Sequence, residues 1–318
     1  MSSTEDTASK EDNDVSVCAN CGKGEEESHK LKHCNDCMLV KYCSRDCQIA
    51  HRPQHKKECK KRAAELHDIE LFKQPPPKED CPICFLQLPC LETGSSYYAC
   101  CGKVICSGCV CAPKYDDQGN LVDNEKQNQC PFCRVVAPKS KKESIKRLNK
   151  RMEANDANAI YTLGCFYRHG EYGFPQDYKK SLELYHRAGE LGYAGAYNNI
   201  GHAYETGNGV EIDMKKANHY YKLAAIGGCA KARYNQGIVE AKAGKMDRAF
   251  KHWMIAVKDG DSESLVVIKK FYSSGLATKE YYTKALRSYQ EYLSEIKSTQ
   301  RDIAAQSDER YRYYNSGV

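Results

Sequence analysis

The sequence predicts a multidomain chain, in which two small cysteine-stapled N-terminal domains are followed by an all-α helical-repeat solenoid. Two observations lead to this fold class. Of the 19 cysteines among 318 residues, all but Cys165 and Cys229 lie before residue 134, in two dense clusters. From residue 155 onward, Ala, Gly, Tyr and Lys recur with helical periodicity in units of about 32–36 residues. The length fits two or three structural units.

The first segment, "MSSTEDTASKEDND", is acidic and polar, and it predicts a disordered tail over 1–17. It lacks the features of a signal peptide, and no apolar run approaches the roughly 18 residues of a membrane span. We therefore expect a cytoplasmic or nuclear protein without a membrane partner. In these reducing compartments, closely spaced cysteines indicate metal sites rather than disulfides.

The first cysteine cluster contains eight potential metal ligands in four pairs. These are Cys18 and Cys21, Cys34 and Cys37, Cys43 and Cys47, and His55 and Cys59. Eight soft or borderline ligands are enough for two closed tetrahedral zinc sites. The last two pairs have a four-residue spacing, which places both members on one face of a helical turn. A unit this small buries little apolar surface, so zinc would supply on the order of 10–16 kcal/mol of folding energy per site.

Through "CMLVKYCSRDCQ" and "HKKEC", residues 18–59 resemble a MYND zinc finger. In that family the first and third pairs share one zinc and the second and fourth share the other. The resemblance implies Cys18, Cys21, Cys43 and Cys47 for zinc 1, and Cys34, Cys37, His55 and Cys59 for zinc 2. Arg52 replaces the family's common tryptophan, which argues against an apolar peptide groove. His29, His33 and His51 are competing ligands with poorer spacing.

A second cluster follows a linker over 60–78, whose prolines in "FKQPPPK" favour an extended chain. This cluster again contains eight cysteines at metal-ligand spacing. They are Cys81 and Cys84, the neighbours Cys100 and Cys101, Cys106 and Cys109, and, after the polar stretch "DDQGNLVDNEKQNQ", Cys130 and Cys133.

This order of pairs resembles an all-cysteine RING-type zinc finger over 79–137. The resemblance implies a cross-brace, with Cys81, Cys84, Cys106 and Cys109 on zinc 3, and Cys100, Cys101, Cys130 and Cys133 on zinc 4. Four zinc ions per chain are therefore expected. Adjacent thiols can reach one zinc, but in a strand they would point to opposite faces, so we expect a turn that Gly102 permits. A vicinal disulfide and ligation by Cys90 or Cys111 remain alternatives.

The RING resemblance implies a ubiquitin-protein ligase that has no catalytic nucleophile of its own and acts by holding a ubiquitin-conjugating enzyme in position. The family's contacts with that enzyme correspond to Ile83, Pro131 and Arg134. The alternative for these three residues is a structural role in the zinc loops. For the whole chain, the alternative function is a non-enzymatic scaffold that mediates protein–protein interactions.

A basic helical linker is predicted over 138–154. Between Val135 and Met152 there are seven Lys or Arg residues, at 139, 141, 142, 146, 147, 150 and 151, and one acid, Glu143. Ser140 and Glu143 have the spacing of a capping box. No aromatic residues are interleaved with the charges, so nucleic acid is an unlikely partner.

The remaining chain predicts about four helix-turn-helix repeats over 155–297. Gly164, Gly201 and Gly237 occupy the same position of the first helix, with Lys269 in the fourth unit. A cation followed by a small residue recurs in the second helix, ending in Ser181, Ala217, Ala249 and Ala285. We expect these small residues to let the helices approach closely.

The repeats resemble Sel-like repeats, relatives of the tetratricopeptide repeat, with the first two units closest to the pattern. The resemblance implies a surface that binds a peptide or protein ligand, the substrate if the chain is a ligase. The MYND-type finger is a further candidate for substrate binding. The last segment, 298–318, is expected to be a frayed and disordered tail.

Overall fold

The computed structural model describes residues 17–26, 30–90, 92–114 and 128–315. The chain divides into two compact units, Met1–Leu71 and Phe72–Val318. The predicted tail at 1–17, apart from Val17, lies outside the described residues, as do His29 and most of the polar stretch before Cys130. No helix within the described ranges combines the length and the apolar character that a membrane crossing requires.

The first unit contains a two-stranded antiparallel sheet and one long helix. The strands are β1 (Lys32–His33) and β2 (Lys41–Tyr42), and the helix is α1 (Arg45–Leu71). The first part of the predicted linker over 60–78 is helical, because α1 continues to Leu71. The reason is compositional, because "KKRAAELHDIEL" contains strong helix formers and no glycine or proline.

The second unit begins with a short hairpin and a helical turn. Strands β3 (Ser95–Tyr98) and β4 (Lys103–Cys106) pair antiparallel, with Tyr98 opposite Lys103, and α2 (Ser107–Cys111) follows directly. Residues 99–102 form the hairpin connection, so the adjacent cysteines lie in a turn.

The basic segment forms helix α3 (Lys141–Glu153). The Ser140 hydroxyl accepts a hydrogen bond from the Glu143 amide at 3.2 Å, and the Glu143 carboxylate accepts one from the Lys139 amide at 2.9 Å. The capping box predicted from Ser140 and Glu143 is thus present, with the carboxylate reaching one residue beyond the cap.

Four antiparallel helix pairs make up the solenoid, as the sequence repeat predicts. They are α4 (Ala157–His169) with α5 (Tyr178–Glu190), α6 (Ala194–Thr206) with α7 (Met214–Ile226), α8 (Ala230–Lys242) with α9 (Met246–Lys258), and α10 (Ser262–Ser273) with α11 (Lys279–Ile296). The recurring small residues of the second helices are buried, namely Ser181, Ala217, Ala249 and Ala285.

The recurring glycine of the first helix faces an aromatic ring of the second helix in three successive pairs. A Cβ atom at Gly164 would lie 2.8 Å from the Tyr185 ring, and one at Gly201 would lie 2.7 Å from the Tyr221 ring. At Gly237 the corresponding distance to Trp253 Nε1 is 2.1 Å. The glycine is therefore required for close helix packing, since any side chain would occupy the space of the ring.

The expectation of a disordered tail over 298–318 is wrong for its described residues. Helix α12 (Thr299–Ser307) packs on α2, and both Arg301 and Tyr313 are completely buried. Tyr313 joins the apolar cluster of the last repeat, where its hydroxyl donates a hydrogen bond to the Asp302 carboxylate. The signal for a tail was the end of the repeat pattern, which carries no information about docking on another module.

We predict that Gly237→Ala destabilises the solenoid. Alanine stabilises an exposed helix by about 1 kcal/mol relative to glycine, but overpacking against Trp253 should lower the free energy of unfolding by about 1–3 kcal/mol. Chemical denaturation measures this difference. The exposed Lys242→Ala on the same helix is the control, expected within about 0.5 kcal/mol of wild type. A stabilised Gly237→Ala variant would contradict the packing role.

Candidate metal centres

Four groups of side chains converge closely enough to hold metal ions. Within each group the potential ligand atoms all lie within 4.8 Å of one another. The four groups are Cys18, Cys21, Cys43 and Cys47; Cys34, Cys37, His55 and Cys59; Cys81, Cys84, Cys106 and Cys109; and Cys100, Cys101, Cys130 and Cys133. The structure thus brings together the four sets that the sequence predicts, including both cross-braced pairings.

The distances between thiols fit zinc ligands. The Sγ atoms of Cys21 and Cys43 are 3.5 Å apart, and those of Cys84 and Cys106 are 3.7 Å apart. Two thiolates on one tetrahedral zinc, each about 2.3 Å from the metal, are separated by about 3.8 Å, whereas a disulfide requires about 2.05 Å. No cysteine of the described chain forms a disulfide. Each group could therefore hold one zinc ion.

Four of the five Cys-x2-Cys pairs, all but Cys106 and Cys109, share one loop geometry. The residue after each pair has a left-handed backbone, with φ between 57° and 73°, and these residues are Gly22, Met38, Phe85 and Arg134. Each donates its amide hydrogen to the carbonyl oxygen of the pair's first cysteine at 2.9 Å. This turn points both thiols of a pair to the same side. Three non-glycine residues adopt this conformation at a cost of about 1–2 kcal/mol each.

The first two sites are almost the entire interior of their finger. Besides Cys18, Cys34 and Cys37, its buried apolar cluster contains only Leu31 and Tyr42 among the described residues. So few apolar side chains cannot offset the conformational entropy of folding. The donor set and the small core therefore both fit structural zinc.

The competing histidines make other contacts. His33 Nδ1 lies 3.1 Å from the Met38 carbonyl oxygen. His51 Nδ1 lies 3.0 Å from the Tyr42 hydroxyl, and its ring stacks on the ring of His55. His51 thus packs beside the predicted ligand, His55, whose Nε2 is 3.1 Å from Cys37 Sγ.

Cys100 and Cys101 reach one site because their hairpin connection is a tight turn. The amides of Cys101 and Gly102 both donate to the Tyr98 carbonyl oxygen, at 3.2 Å and 2.8 Å. Cys100 Sγ then lies 3.4 Å from Cys133 Sγ, and Cys101 Sγ lies 3.8 Å from Cys130 Sγ. Gly102 has φ of +69°, as expected for the residue that permits this turn.

The two spare thiols of the second cluster lie outside the four groups. Burial raises the pKa of the Cys90 thiol to about 12, and the Cys90 amide donates a hydrogen bond to the Tyr292 hydroxyl at 2.8 Å. Burial also raises the pKa of Cys111, which is enclosed in α2. Both thiols stay protonated at neutral pH, so they behave as packing residues.

Two arginines from opposite ends of the solenoid hold the cross-braced sites. Arg151 of α3 donates to the carbonyl oxygens of Ala99 and Cys100 at 3.1 Å and 3.0 Å. At the loop that follows Cys84, Arg301 of α12 donates to the carbonyl oxygens of Gln87 and Leu86 at 2.9 Å and 3.3 Å. Neither arginine was predicted from the sequence, because both contacts span regions more than 50 residues apart.

Arg301 also compensates the negative charge of the cysteine thiolates at zinc site 3. Its guanidinium lies 3.9 Å from the Cys84 sulfur and donates to the Ile296 carbonyl oxygen of its own end of the solenoid at 2.7 Å. Four thiolates around one Zn²⁺ carry a net charge of about −2, so a buried guanidinium beside them is favourable. Helix α2 accommodates this approach through Gly108, where a Cβ atom would lie 2.8 Å from the Arg301 amide nitrogen.

Comparison with protein families assigns two of the modules. Residues 18–59 match the MYND finger, a zinc-binding module, and residues 157–193 and 194–229 match the Sel1 repeat. The chain therefore carries a MYND finger and Sel1 repeats. The two matched repeats are the helix pairs α4–α5 and α6–α7, the units whose sequence follows the pattern best. The cross-braced module, residues 79–137, is an additional cysteine-rich zinc-binding group.

Similarity to individual proteins is limited to part of the chain. The chain is 26% identical over 111 residues to the "ERAD-associated E3 ubiquitin-protein ligase component HRD3B" of Arabidopsis thaliana. The aligned residues are 35% of this chain and 17% of that protein. The chain thus spans less than a fifth of this curated relative.

Two solved structures resemble the chain over about half its length. A Sel1 repeat protein from Oxalobacter formigenes has 27% identity and a TM-score of 0.41, covering 52% of this chain and 64% of that one. The protective antigen c5321 of uropathogenic Escherichia coli has 25% identity and a TM-score of 0.43, covering 55% and 43%.

The MYND finger has a surface depression of about 420 Å³ beside its second site. Four cations contribute to its lining, namely Arg45, Arg52, Lys56 and Lys60. The replacement of tryptophan by Arg52 therefore goes with a basic rather than an apolar groove, in agreement with the sequence.

The three predicted conjugating-enzyme contacts differ in accessibility. Ile83 is 36% exposed and Arg134 is exposed, whereas Pro131 is buried. Phe85, which the sequence analysis did not single out, is 78% exposed despite its left-handed backbone. Its position directly after "CPIC" was the available signal.

We predict that a single substitution of an adjacent cysteine removes one metal. Cys101→Ser should lower the zinc content by one from the four sites of the wild type, because zinc 4 loses a thiolate. Elemental analysis of the purified protein measures the count. Cys90→Ser and Cys111→Ser are the matched controls and should retain all four ions. A Cys101→Ser variant with unchanged zinc would contradict joint ligation by the neighbours.

We predict that Arg301→Gln couples loss of stability to loss of zinc. Removing the guanidinium should lower the free energy of unfolding by roughly 2–3 kcal/mol and speed zinc release to a chelator. Arg310→Gln is the control, because Arg310 lies on the surface and pairs with Asp308 of its own segment. Equal zinc release from wild type and Arg301→Gln would rule out the charge-compensating role.

Proposed function

We propose that this protein is a zinc-dependent RING-type ubiquitin-protein ligase that binds four zinc ions through the four ligand sets. The module at 79–137 recruits a ubiquitin-conjugating enzyme, and the Sel1 repeats select a protein substrate. The MYND finger serves as a second protein-binding module. The reaction uses no nucleophile of this chain, because the module acts by positioning the charged conjugating enzyme.

The observation that carries this proposal is the cross-brace. Ligand pairs one and three of the second cluster converge, as do pairs two and four, including the adjacent Cys100 and Cys101. This interleaved arrangement is the one that the RING resemblance implies. It supports a RING-type interpretation over two consecutive zinc knuckles, in which neighbouring pairs would share a metal.

The exposed surface of the module also supports a protein-binding role. Two of its Cys-x2-Cys loops, those of Cys81–Cys84 and Cys130–Cys133, present apolar side chains to solvent, namely Ile83, Phe85, Phe132, Val135 and Val136. Clusters of exposed apolar side chains are typical of protein interaction sites.

A ubiquitin-related role agrees with the name of the Arabidopsis relative, a component of an E3 ubiquitin-protein ligase. The second candidate function is a non-enzymatic scaffold. The scaffold function is favoured by the burial of Pro131, because a buried residue cannot contact a conjugating enzyme as the RING resemblance implies.

We predict ubiquitin-chain formation by the purified protein with ubiquitin-activating enzyme and at least one of a panel of conjugating enzymes. Ile83→Ala and Arg134→Ala should each reduce the rate roughly tenfold or more, since both positions face the conjugating enzyme in this proposal. Gel analysis of ubiquitin conjugates measures the rate.

The control is Lys142→Ala, an exposed substitution on α3 outside the zinc module, which should act like wild type. Zinc content should be equal in all variants, so that a folding defect is recognised. Absence of chains with every conjugating enzyme, or unchanged rates in both contact variants, would favour the scaffold.

A further inference from the structure

Residues 72–78, "FKQPPPK", lie along the helical repeats with a three-residue periodicity. Phe72, Pro75 and Lys78 are half-buried, while the four residues between them are exposed. A polyproline II helix has three residues per turn, so one of its faces presents every third side chain. The segment therefore contacts the repeats in the manner of an extended proline-rich ligand.

The first anchor, Phe72, binds to helix α9. Its ring centroid lies 4.7 Å from that of His252. The Arg248 guanidinium is 5.1 Å from the Phe72 ring centroid, and Lys251 Nζ is 5.5 Å from it. Two cations and an aromatic partner around one ring form a site that is selective for an aromatic side chain.

The second anchor, Pro75, lies with Pro76 against the turn between α7 and α8. A Cβ atom placed on Gly228 would lie 3.8 Å from Pro75 and 3.4 Å from Pro76. The proline rings thus rest directly on backbone, where a flat, rigid surface is complementary to them.

The third anchor, Lys78, has a polar and aromatic receptor between α9 and α11. Its Nζ lies 5.0 Å from the centroid of the Tyr292 ring and donates to the Asp259 carbonyl oxygen. Burial raises the pKa of the Asp259 carboxyl group, and the positive charge of Lys78 opposes that shift. Aromatic face, carbonyl oxygen and nearby acid together recognise an ammonium group.

We infer that helices α7–α11 form a groove for segments of the form aromatic-x-x-Pro-x-x-Lys, that residues 72–78 are its resident ligand, and that partner proteins carrying such a segment bind by displacing it. This deepens the substrate-binding role proposed for the repeats and does not depend on ligase activity. The partner surface is an exposed, proline-rich segment with an aromatic residue and a lysine six positions apart.

Tethering determines how the groove is regulated. A segment joined to its own site acts at an effective concentration on the order of 1 mM. A free peptide that binds the vacated groove with a Kd of about 0.1 mM is then weakened about tenfold in the wild type. Only a partner with higher affinity, or with a second contact elsewhere, displaces the resident segment.

The test uses a fluorescent peptide, "FKQPPPKED" (72–80), and the full-length chain in two forms. One form is wild type, and the other carries Phe72→Ala and Lys78→Ala, which remove two anchors of the resident segment. Fluorescence anisotropy should show about tenfold tighter binding to the double variant. Far-UV circular dichroism and thermal melting establish that the variant is folded. If it is not, the single variant Lys78→Ala replaces it and should bind with intermediate affinity.

Variants of the peptide test the anchors without altering the protein. Replacing Lys78 by Ala in the peptide should weaken binding several-fold, and so should exchanging Lys78 with Pro77, which keeps the net charge but moves the ammonium group by one position. Full affinity of the exchanged peptide would indicate non-specific charge attraction and overturn the inference. Failure of the peptide to bind the folded variant, or equal affinity for both protein forms, would also overturn it. Because no ubiquitin is present, the outcome is independent of the ligase assay.

Discussion

Metal ligation is the constraint on which the N-terminal half of this protein depends. The buried cluster of the MYND finger has Leu31 and Tyr42 as its non-cysteine members among the described residues, and that of the cross-braced module has Ile105. Such interiors cannot balance the entropy of an ordered chain. Four of the eight ligand pairs lie in left-handed turns that direct their donor atoms inward. Folding and zinc binding are therefore one process in these modules.

Within the second unit, the guanidinium groups of two arginines join the cross-braced module to the helices that flank the solenoid. Arg151 enters from the helix that precedes the repeats, and Arg301 from the helix that follows them. Tyr97 adds a hydrogen bond to Asp156, the residue that caps the first repeat helix. In the function proposed above, the substrate and the conjugating enzyme would bind to parts of the same compact unit.

The chain between the zinc modules consists of two structurally different parts. Its first part extends α1, while its second part packs on the repeats as an extended segment. The anchors at 72, 75 and 78 are half-buried and three residues apart, the spacing of one face of a polyproline II helix. The solenoid therefore binds part of its own chain in the way in which repeat proteins bind partners.

The sequence by itself determined the local structure: ligand pairs, the turn at Gly102, the capping box at Ser140 and the paired repeat helices. These features depend on spacing and on residue chemistry within a few positions, and the metal groups follow from the pairing that the resemblance to MYND and RING fingers implies. Only the tertiary structure shows the docking of α12, the contacts of Arg151 and Arg301, and the position of residues 72–78 on the repeats. These contacts join positions about 50 to more than 200 residues apart, and their energy comes from burial and charge compensation that no short sequence window contains.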